Sequence, residues 1–219
     1  HLTGRPVNLR EIGKIVINNG LKLIADSCHA IGGTYLGLPI GNCKYEHLST
    51  FSFHPVKTIT TGEGGAVTTN NKKLASAMKS LRSHNMIRAK SDYKFWKYNM
   101  RDLGYNYRLS DIQCALGLNQ LKKLAQFKKK RTKLVELYNF KLKKFYPKII
   151  TPEIPIFSHS KNISWHLYSI LVDFKAIKIS KNTFMKKLRT EKISTQVHYI
   201  PVHTQPYYKK LYGDSLLPG

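Results

Sequence analysis

Acidic residues are scarce in this chain: 12 Asp and Glu stand against 37 Lys and Arg, a formal net charge of +25. Such an imbalance raises nucleic acid as a partner. Two features argue against that reading. Only 8 of the 37 basic residues are Arg, the side chain that reads bases and phosphates by bidentate contact. The lysines are also scattered, and the densest run, KKKRTK at 128–133, lies in a long helical pattern where it is expected to face solvent. Cysteine is scarce as well. Cys28, Cys43 and Cys114 are an odd count with no CxxC pair, which argues against a disulfide framework and for a reduced, cytoplasmic chain. The spacing of Cys28, His29 and Cys43 fits no usual zinc pattern, so no metal is expected. No apolar run approaches the ~18 residues of a membrane span. HLTGRPVNL at the start has neither the basic nor the apolar region of a signal peptide. It also lacks an initiator Met, so the sequence reads as opening partway through a longer protein.

What is present is a globular chain of 219 residues, 42% hydrophobic, long enough for one large domain or two modest ones. Pro6 and Asn8 mark the start of a helix with Leu9, Ile12 and Val16 on one face, stopped by Asn18, Asn19 and Gly20. LKLIA at 21–25 predicts a strand covered on both faces, with Asp26 at its carboxyl end. Ligands of open α/β sheets collect at such ends. Residues 48–53 and 64–69 predict two more strands, and Asn70-Asn71 opens a helix carrying Leu74, Met78 and Leu81. Residues 85–107 read as a loop. Ser110 caps a helix whose stripe of Ile112, Leu116, Leu121, Leu124, Leu134 and Leu137 runs to about residue 145. Pro147, Pro152 and Pro155 then place a domain boundary near 140–155. A strand at 166–174, a helix at about 180–190 and a strand at 193–199 follow.

One stretch stands apart. Between Glu46 and Glu63 the only formal charge is Lys57, set among Phe51, Phe53, Pro55, Val56 and Ile59. Burial among apolar groups turns a lysine into a nucleophile by favouring its neutral amine. The alternative is a lysine whose stem crosses an apolar surface with its head in water. An amine nucleophile points to a carbonyl partner, and pyridoxal phosphate is the common cofactor that has one. Asp26 offers a carboxylate for the pyridine nitrogen and Ser52 a hydroxyl for the phosphate. Asn106 and Arg108 precede the Ser110 helix start, where free N–H groups favour an anion.

LIADSCHAIGG, STFSFHPVKTITTGEGGAV, LRSHNMIR, LGYNYRLSDIQCALGLNQL, WHLY and QVHYIPVHTQPYY occur in that order. Together they resemble the DegT/DnrJ/EryC1/StrS sugar aminotransferases, and among these the branch that makes 4-amino-4,6-dideoxy sugars for pseudaminic acid. The resemblance runs from residue 1 to 219. It implies a type I PLP-dependent transferase (aspartate aminotransferase) fold, α/β, with part of the large domain and its mixed sheet in residues 1–140. Part of a smaller α+β C-terminal domain is expected in 150–219. It also implies that a long preceding segment and a final stretch of the family pattern lie outside this sequence, including the aromatic that stacks on the cofactor.

By the same resemblance Lys57 is the Schiff-base lysine, Asp26 the partner of the pyridine nitrogen, and His29 the residue approaching the ring's phenolic oxygen. Ser52 is a phosphate ligand. Asn106 and Arg108 reach the cofactor phosphate of a neighbouring subunit, which implies a homodimer with shared sites. His198 and Tyr199 fall where similar enzymes hold the nucleotide sugar, and a structural role is the alternative for His198. The implied reaction is transamination of a nucleotide-linked 4-keto-6-deoxy hexose with glutamate as donor. Relatives with histidine in place of the lysine are dehydratases, and Lys57 argues against that chemistry. A truncated, inactive family member and a basic nucleic-acid-binding protein are the remaining alternatives. RSHNMIR departs from relatives that have Gly after His, although Asn85 tolerates a positive φ.

Overall fold

The computed structural model describes residues 1–87, 96–158 and 162–213. The chain divides into two compact units, His1–Leu171 and Val172–Gly219. The prolines alone place the division earlier, near 140–155. The chain beyond them returns to the first unit, because Ile163 and Trp165 pack with Val135 and Tyr168 in a buried cluster.

The first unit is built on a three-stranded mixed sheet of β1 (Ile24–Asp26), β4 (Leu48–Ser52) and β5 (Gly65–Thr68), in the order β1-β4-β5. β1 runs parallel to β4 with Asp26 opposite Thr50, and β5 runs antiparallel to β4 with Gly65 opposite Ser52. The carboxyl ends of β1 and β4 therefore lie side by side. Two-residue pairs join β2 (Thr34–Tyr35) to β3 (Leu38–Pro39), and β6 (Met86–Ile87) to β7 (Asn99–Met100). A further pair joins β8 (Ile149–Ile150) to β9 (Leu171–Val172). Ala25 of β1 is buried, but Ile24 is 60% exposed, so within this chain β1 is covered on one face and not on both.

Helix α1 (Leu9–Asn18) buries Leu9 and Val16 of the expected stripe together with Gly13, while Ile12 is half-buried. Its start is held in an unexpected way. Asn8 makes no capping bond with its side chain. Its Oδ1 accepts the Tyr35 hydroxyl at 2.6 Å, and that hydroxyl accepts the Arg10 N–H at 3.2 Å, so Tyr35 satisfies a free donor of the first turn. Leu9, Ala25, Ala30, Tyr35 and Ile40 form the core between helix and sheet.

Helix α2 (Lys72–Leu81) is capped by Asn71, whose Oδ1 accepts the N–H groups of Lys73 and Leu74. The following turn places both His84 and Asn85 at positive φ. Helix α3 (Asp111–Leu142) opens with a reciprocal capping box between Ser110 and Gln113. Its apolar stripe behaves differently from expectation. Ile112 is 84% exposed, and Leu116, Leu121, Leu134 and Leu137 are exposed too. The helix buries Gly117 and Val135 instead. A Cβ at Gly117 would come within 2.9 Å of Thr61 Cγ2, so the missing side chain lets α3 approach the Lys57 loop. Nor does KKKRTK simply face solvent. Lys128 Nζ donates to the Gly32 carbonyl at 3.0 Å, and Arg131 Nη1 donates to the carbonyls of Trp165 and His166. Burial draws the Lys128 pKa down.

The second unit holds α4 (Lys181–Thr190), capped by the Ser180 hydroxyl, and α5 (Pro206–Tyr212). Of the two strands expected late in the chain, 166–174 is reduced to Leu171–Val172, and no strand is found at 193–199 among the described residues. No helix among the described residues is long and apolar enough to cross a membrane.

Glu46 is buried, and its Oε1 has no hydrogen-bond donor among the described residues. Burial pushes its carboxyl pKa up against the backbone N–H groups of Tyr45, Glu46 and Cys43, which draw it down. A folded-state pKa above the unfolded value gives a stabilising contribution that is full below the unfolded pKa and lost as pH rises through the folded one. Glu46→Gln is therefore expected to stabilise the protein by about 1 kcal/mol at neutral pH, with the gain fading in acid. Thermal unfolding of both proteins at pH values spanning the carboxylate range checks this, and a mutant less stable at neutral pH would contradict it.

Candidate active site

The carboxyl ends of β1 and β4 are tied together below the site. Ser27 N–H donates to the Thr50 carbonyl at 2.9 Å, and the buried Ser27 and Ser49 hydroxyls share a hydrogen bond of 2.6 Å. Asp26 ends β1, exposed, with Oδ1 accepting the Cys28 N–H at 3.0 Å. That backbone bond, aided by the Cys28 thiol, holds the carboxyl below its ordinary pKa despite an opposing desolvation; His29 also favours the ionised form. Asp26 is thus a carboxylate at neutral pH.

β4 leads into the loop that carries Lys57. Phe53 N–H donates to the Gly64 carbonyl, and the Phe53 carbonyl accepts both the Thr61 N–H and the Thr60 hydroxyl. Thr61 Oγ1 donates to the Glu63 carbonyl, which also accepts Gln113 Nε2 from α3. Thr58, Ile59 and Thr61 are buried beneath the loop. Lys57 itself is half-buried, with Pro55 and Val56 exposed beside it. It is neither sealed in apolar surroundings nor fully in water.

Cys28, weighed in the sequence only as a thiol and a metal ligand, links the two strand ends through its thiol and the Thr50 carbonyl. Cys28 is half-buried, and its thiol pKa is pushed up by burial first, then by Asp26, while Lys57 acts in the opposite sense. Cys28 therefore sits beside Asp26, whose Oδ1 accepts its N–H, next to the strand that leads to the Lys57 loop. His29 joins this group, its Nδ1 accepting the Thr3 N–H at 3.2 Å and its ring lying 4.4 Å from that of His166. Nothing in the spacing of residues 3, 29 and 166 signals that contact. Ser52 is half-buried at the end of β4, its Oγ accepting the His54 N–H at 3.4 Å, which leaves the hydroxyl hydrogen to donate elsewhere.

Asn106 and Arg108 are exposed on the segment leading into α3, where Asn106 bridges to Ser83 and Tyr105 stacks on Tyr107. Arg108 lines a cavity of about 980 Å³ between β5, α2 and this segment, and neither Asp26 nor Lys57 is part of that lining. His198 and Tyr199 belong to the second unit, exposed, with their rings edge to face at 4.5 Å. Cys43 donates to the Thr68 carbonyl at 3.2 Å, and no group of three or more His, Cys, Asp or Glu able to hold a metal occurs among the described residues.

Asp26 thus ends β1, and the neighbouring parallel strand β4 leads into the loop that carries Lys57. The DegT/DnrJ/EryC1/StrS aminotransferase family matches residues 1–218. The chain belongs to this family. The UDP-4-amino-4,6-dideoxy-N-acetyl-beta-L-altrosamine transaminase of Campylobacter jejuni subsp. jejuni serotype O:23/36 (strain 81-176) is 42% identical over 214 residues, 98% of this chain and 54% of that protein. An uncharacterised protein of Methanocaldococcus jannaschii is 38% identical over 217 residues, 97% of this chain and 55% of the relative. Among solved structures, Helicobacter pylori PseC, an aminotransferase involved in the biosynthesis of pseudoaminic acid, superposes with a TM-score of 0.85 at 34% identity, covering 99% of this chain and 55% of its own. The chain thus spans about half the length of the relatives it matches, and its mixed sheet with helices is part of the fold shared by these family aminotransferases.

Proposed function

We propose that the protein is a PLP-dependent aminotransferase that moves an amino group from glutamate to a nucleotide-linked 4-keto-6-deoxy hexose, as in pseudaminic acid biosynthesis. The observation that carries this reading is the placing of Asp26 at the carboxyl end of β1, beside the parallel strand β4 that leads through Ser52 into the Lys57 loop. The residues fit the cofactor: an ionised carboxylate for a protonated ring nitrogen, a primary amine for a carbonyl, and in Ser52 a hydroxyl with a hydrogen left for a phosphate oxygen. Pyridoxal phosphate, when bound, supplies a carbonyl that captures amines and a ring that takes up an electron pair. On this reading Asp26 keeps a proton on the ring nitrogen. The Lys57 amine holds the carbonyl at rest and, when released, carries the proton to and from the α-carbon of the donor. The Ser52 hydroxyl anchors the phosphate. His29 donates to the phenolic oxygen.

Asn106 and Arg108 complete the phosphate site of a second copy, so the working unit is a homodimer. His198 and Tyr199 contact the nucleotide sugar, a role that rests on QVHYIPVHTQPYY alone. The free thiols of Cys28, Cys43 and Cys114 fit a reducing, cytoplasmic setting. The test is amino transfer by the full-length protein loaded with pyridoxal phosphate. Glutamate is expected to yield 2-oxoglutarate, and a UDP-linked 4-keto-6-deoxy hexosamine then to gain an amino group detectable by mass spectrometry. Cofactor binding without transfer to any 4-keto-6-deoxy sugar nucleotide would contradict the substrate class.

A further inference from the structure

The contacts around His29 assign its ring a fixed proton. Thr3 is buried and held at φ 64, an unfavourable backbone conformation for a branched residue. In that conformation its N–H points at His29 Nδ1. A backbone N–H can only donate, so Nδ1 must be the unprotonated nitrogen and the neutral ring carries its hydrogen on Nε2. The ring is also held from its face, because His166 lies against it at 4.4 Å with the planes tilted by 36°.

His166 is fixed to the same short segment. Its N–H donates to the Thr3 carbonyl at 2.9 Å, so Thr3 bonds both histidine residues, one through each of its backbone groups. Arg131 on α3 donates to the His166 carbonyl at 3.0 Å. Gly4 allows the strands of chain to approach this closely, since a Cβ there would run into the Ser164 carbonyl oxygen and reach 3.0 Å from His166 N.

We propose that His166 is a positioning residue: packed against the His29 ring, it keeps Nδ1 of His29 on the Thr3 N–H and so holds the tautomer with the hydrogen on Nε2, the one that donates to an oxyanion. The proposal rests on the cofactor reading for the identity of that oxyanion, the phenolic oxygen of pyridoxal phosphate. The tautomer itself is a property of the protein alone. A His29 free to exchange its proton between nitrogens would meet the oxyanion with a lone pair for part of the time. Removing the His166 ring is therefore expected to weaken cofactor retention by about tenfold, the lower end of the loss that follows when an outer partner of a metal-binding histidine is removed.

The experiment is nitrogen NMR of the histidine rings in the full-length protein without cofactor, at about pH 8.5, above the ordinary imidazole range. Wild type, His166→Ala and His166→Phe are compared, the last retaining a ring to stack, and cofactor dissociation constants are measured alongside. The expected result is a pyridine-like signal at His29 Nδ1 and a pyrrole-like one at Nε2 in the wild type. In His166→Ala the two are expected to shift toward an average, with weaker cofactor binding, and His166→Phe is expected to restore both. A wild-type His29 with its hydrogen on Nδ1 would overturn the proposal. So would a folded His166→Ala protein with unchanged signals and affinity. If the tautomers behave as expected while the wild type binds no pyridoxal phosphate, the histidine geometry is supported and the cofactor reading is overturned.

Discussion

Replacing Lys57 with Ala is expected to lower amino transfer by about 10⁴-fold, the upper range for loss of a single proton-transferring group. Lys57 carries two roles in the proposed reaction, as the amine that holds the cofactor and as the acid and base at the α-carbon. Lys57→Arg is the sharper test. It keeps a long basic side chain at this position, but a guanidinium stays protonated and offers no amine. Equal losses in the two variants are expected, with thermal stability close to wild type. The loop does not depend on the Lys57 side chain for its shape: the Phe53 carbonyl bonds to Thr60 and Thr61, and the buried Ile59, hold it. Activity retained by Lys57→Arg would mean that the charge, not the amine, is what the site uses.

The second large effect is expected at Asp26. Asn at this position retains an oxygen for the Cys28 N–H, so the end of β1 should keep its form while the charge is lost. Transamination is expected to fall by about 10²–10³-fold, the cost of removing one preorganised electrostatic partner. Cofactor retention should weaken as well. The wild-type pH behaviour has a defined sign. Because the folded pKa of Asp26 is lowered, its contribution to stability is present above the unfolded carboxylate value and is lost as pH falls through the folded one. Steady-state kinetics and cofactor titration of Asp26→Asn check the prediction, and an unchanged turnover number would contradict it.

How much of this was readable beforehand depended on the range of the interaction. The caps at Asn71 and Ser110 were legible because a cap and its donors lie within three residues of each other. Asp26 was legible because it closes the apolar run LKLIA, and Lys57 because it is the only charge between Glu46 and Glu63; that the strands leading to them are parallel neighbours was not. The α3 stripe had the right period for a helix, but period alone does not say what covers it. In this chain the contacts are made by Gly117 and Val135 together with one member of the stripe, Leu124, which lies against Gly32. KKKRTK was misread for a related reason. Composition shows a charge run, not the carbonyls of Gly32, Trp165 and His166 that two of its members reach across the fold.

The strand expected at 193–199 failed differently. Its alternating pattern suits a strand, yet a strand requires a partner, and none pairs with it among the described residues. The Cys28 and the Thr3–His29–His166 contacts were missed because they depend on the folded path of separated segments. Cys28 matters through its N–H on Asp26 and Thr3 through its backbone, features that residue type does not carry.

The most direct measurement of the central claim is borohydride trapping in the full-length protein. The protein is incubated with pyridoxal phosphate, reduced, digested, and mapped by mass spectrometry for a pyridoxyl group. The account predicts a single label on the peptide carrying Lys57, abolished in Lys57→Ala. A label scattered over many of the chain's lysines, or centred on any other one, would contradict it.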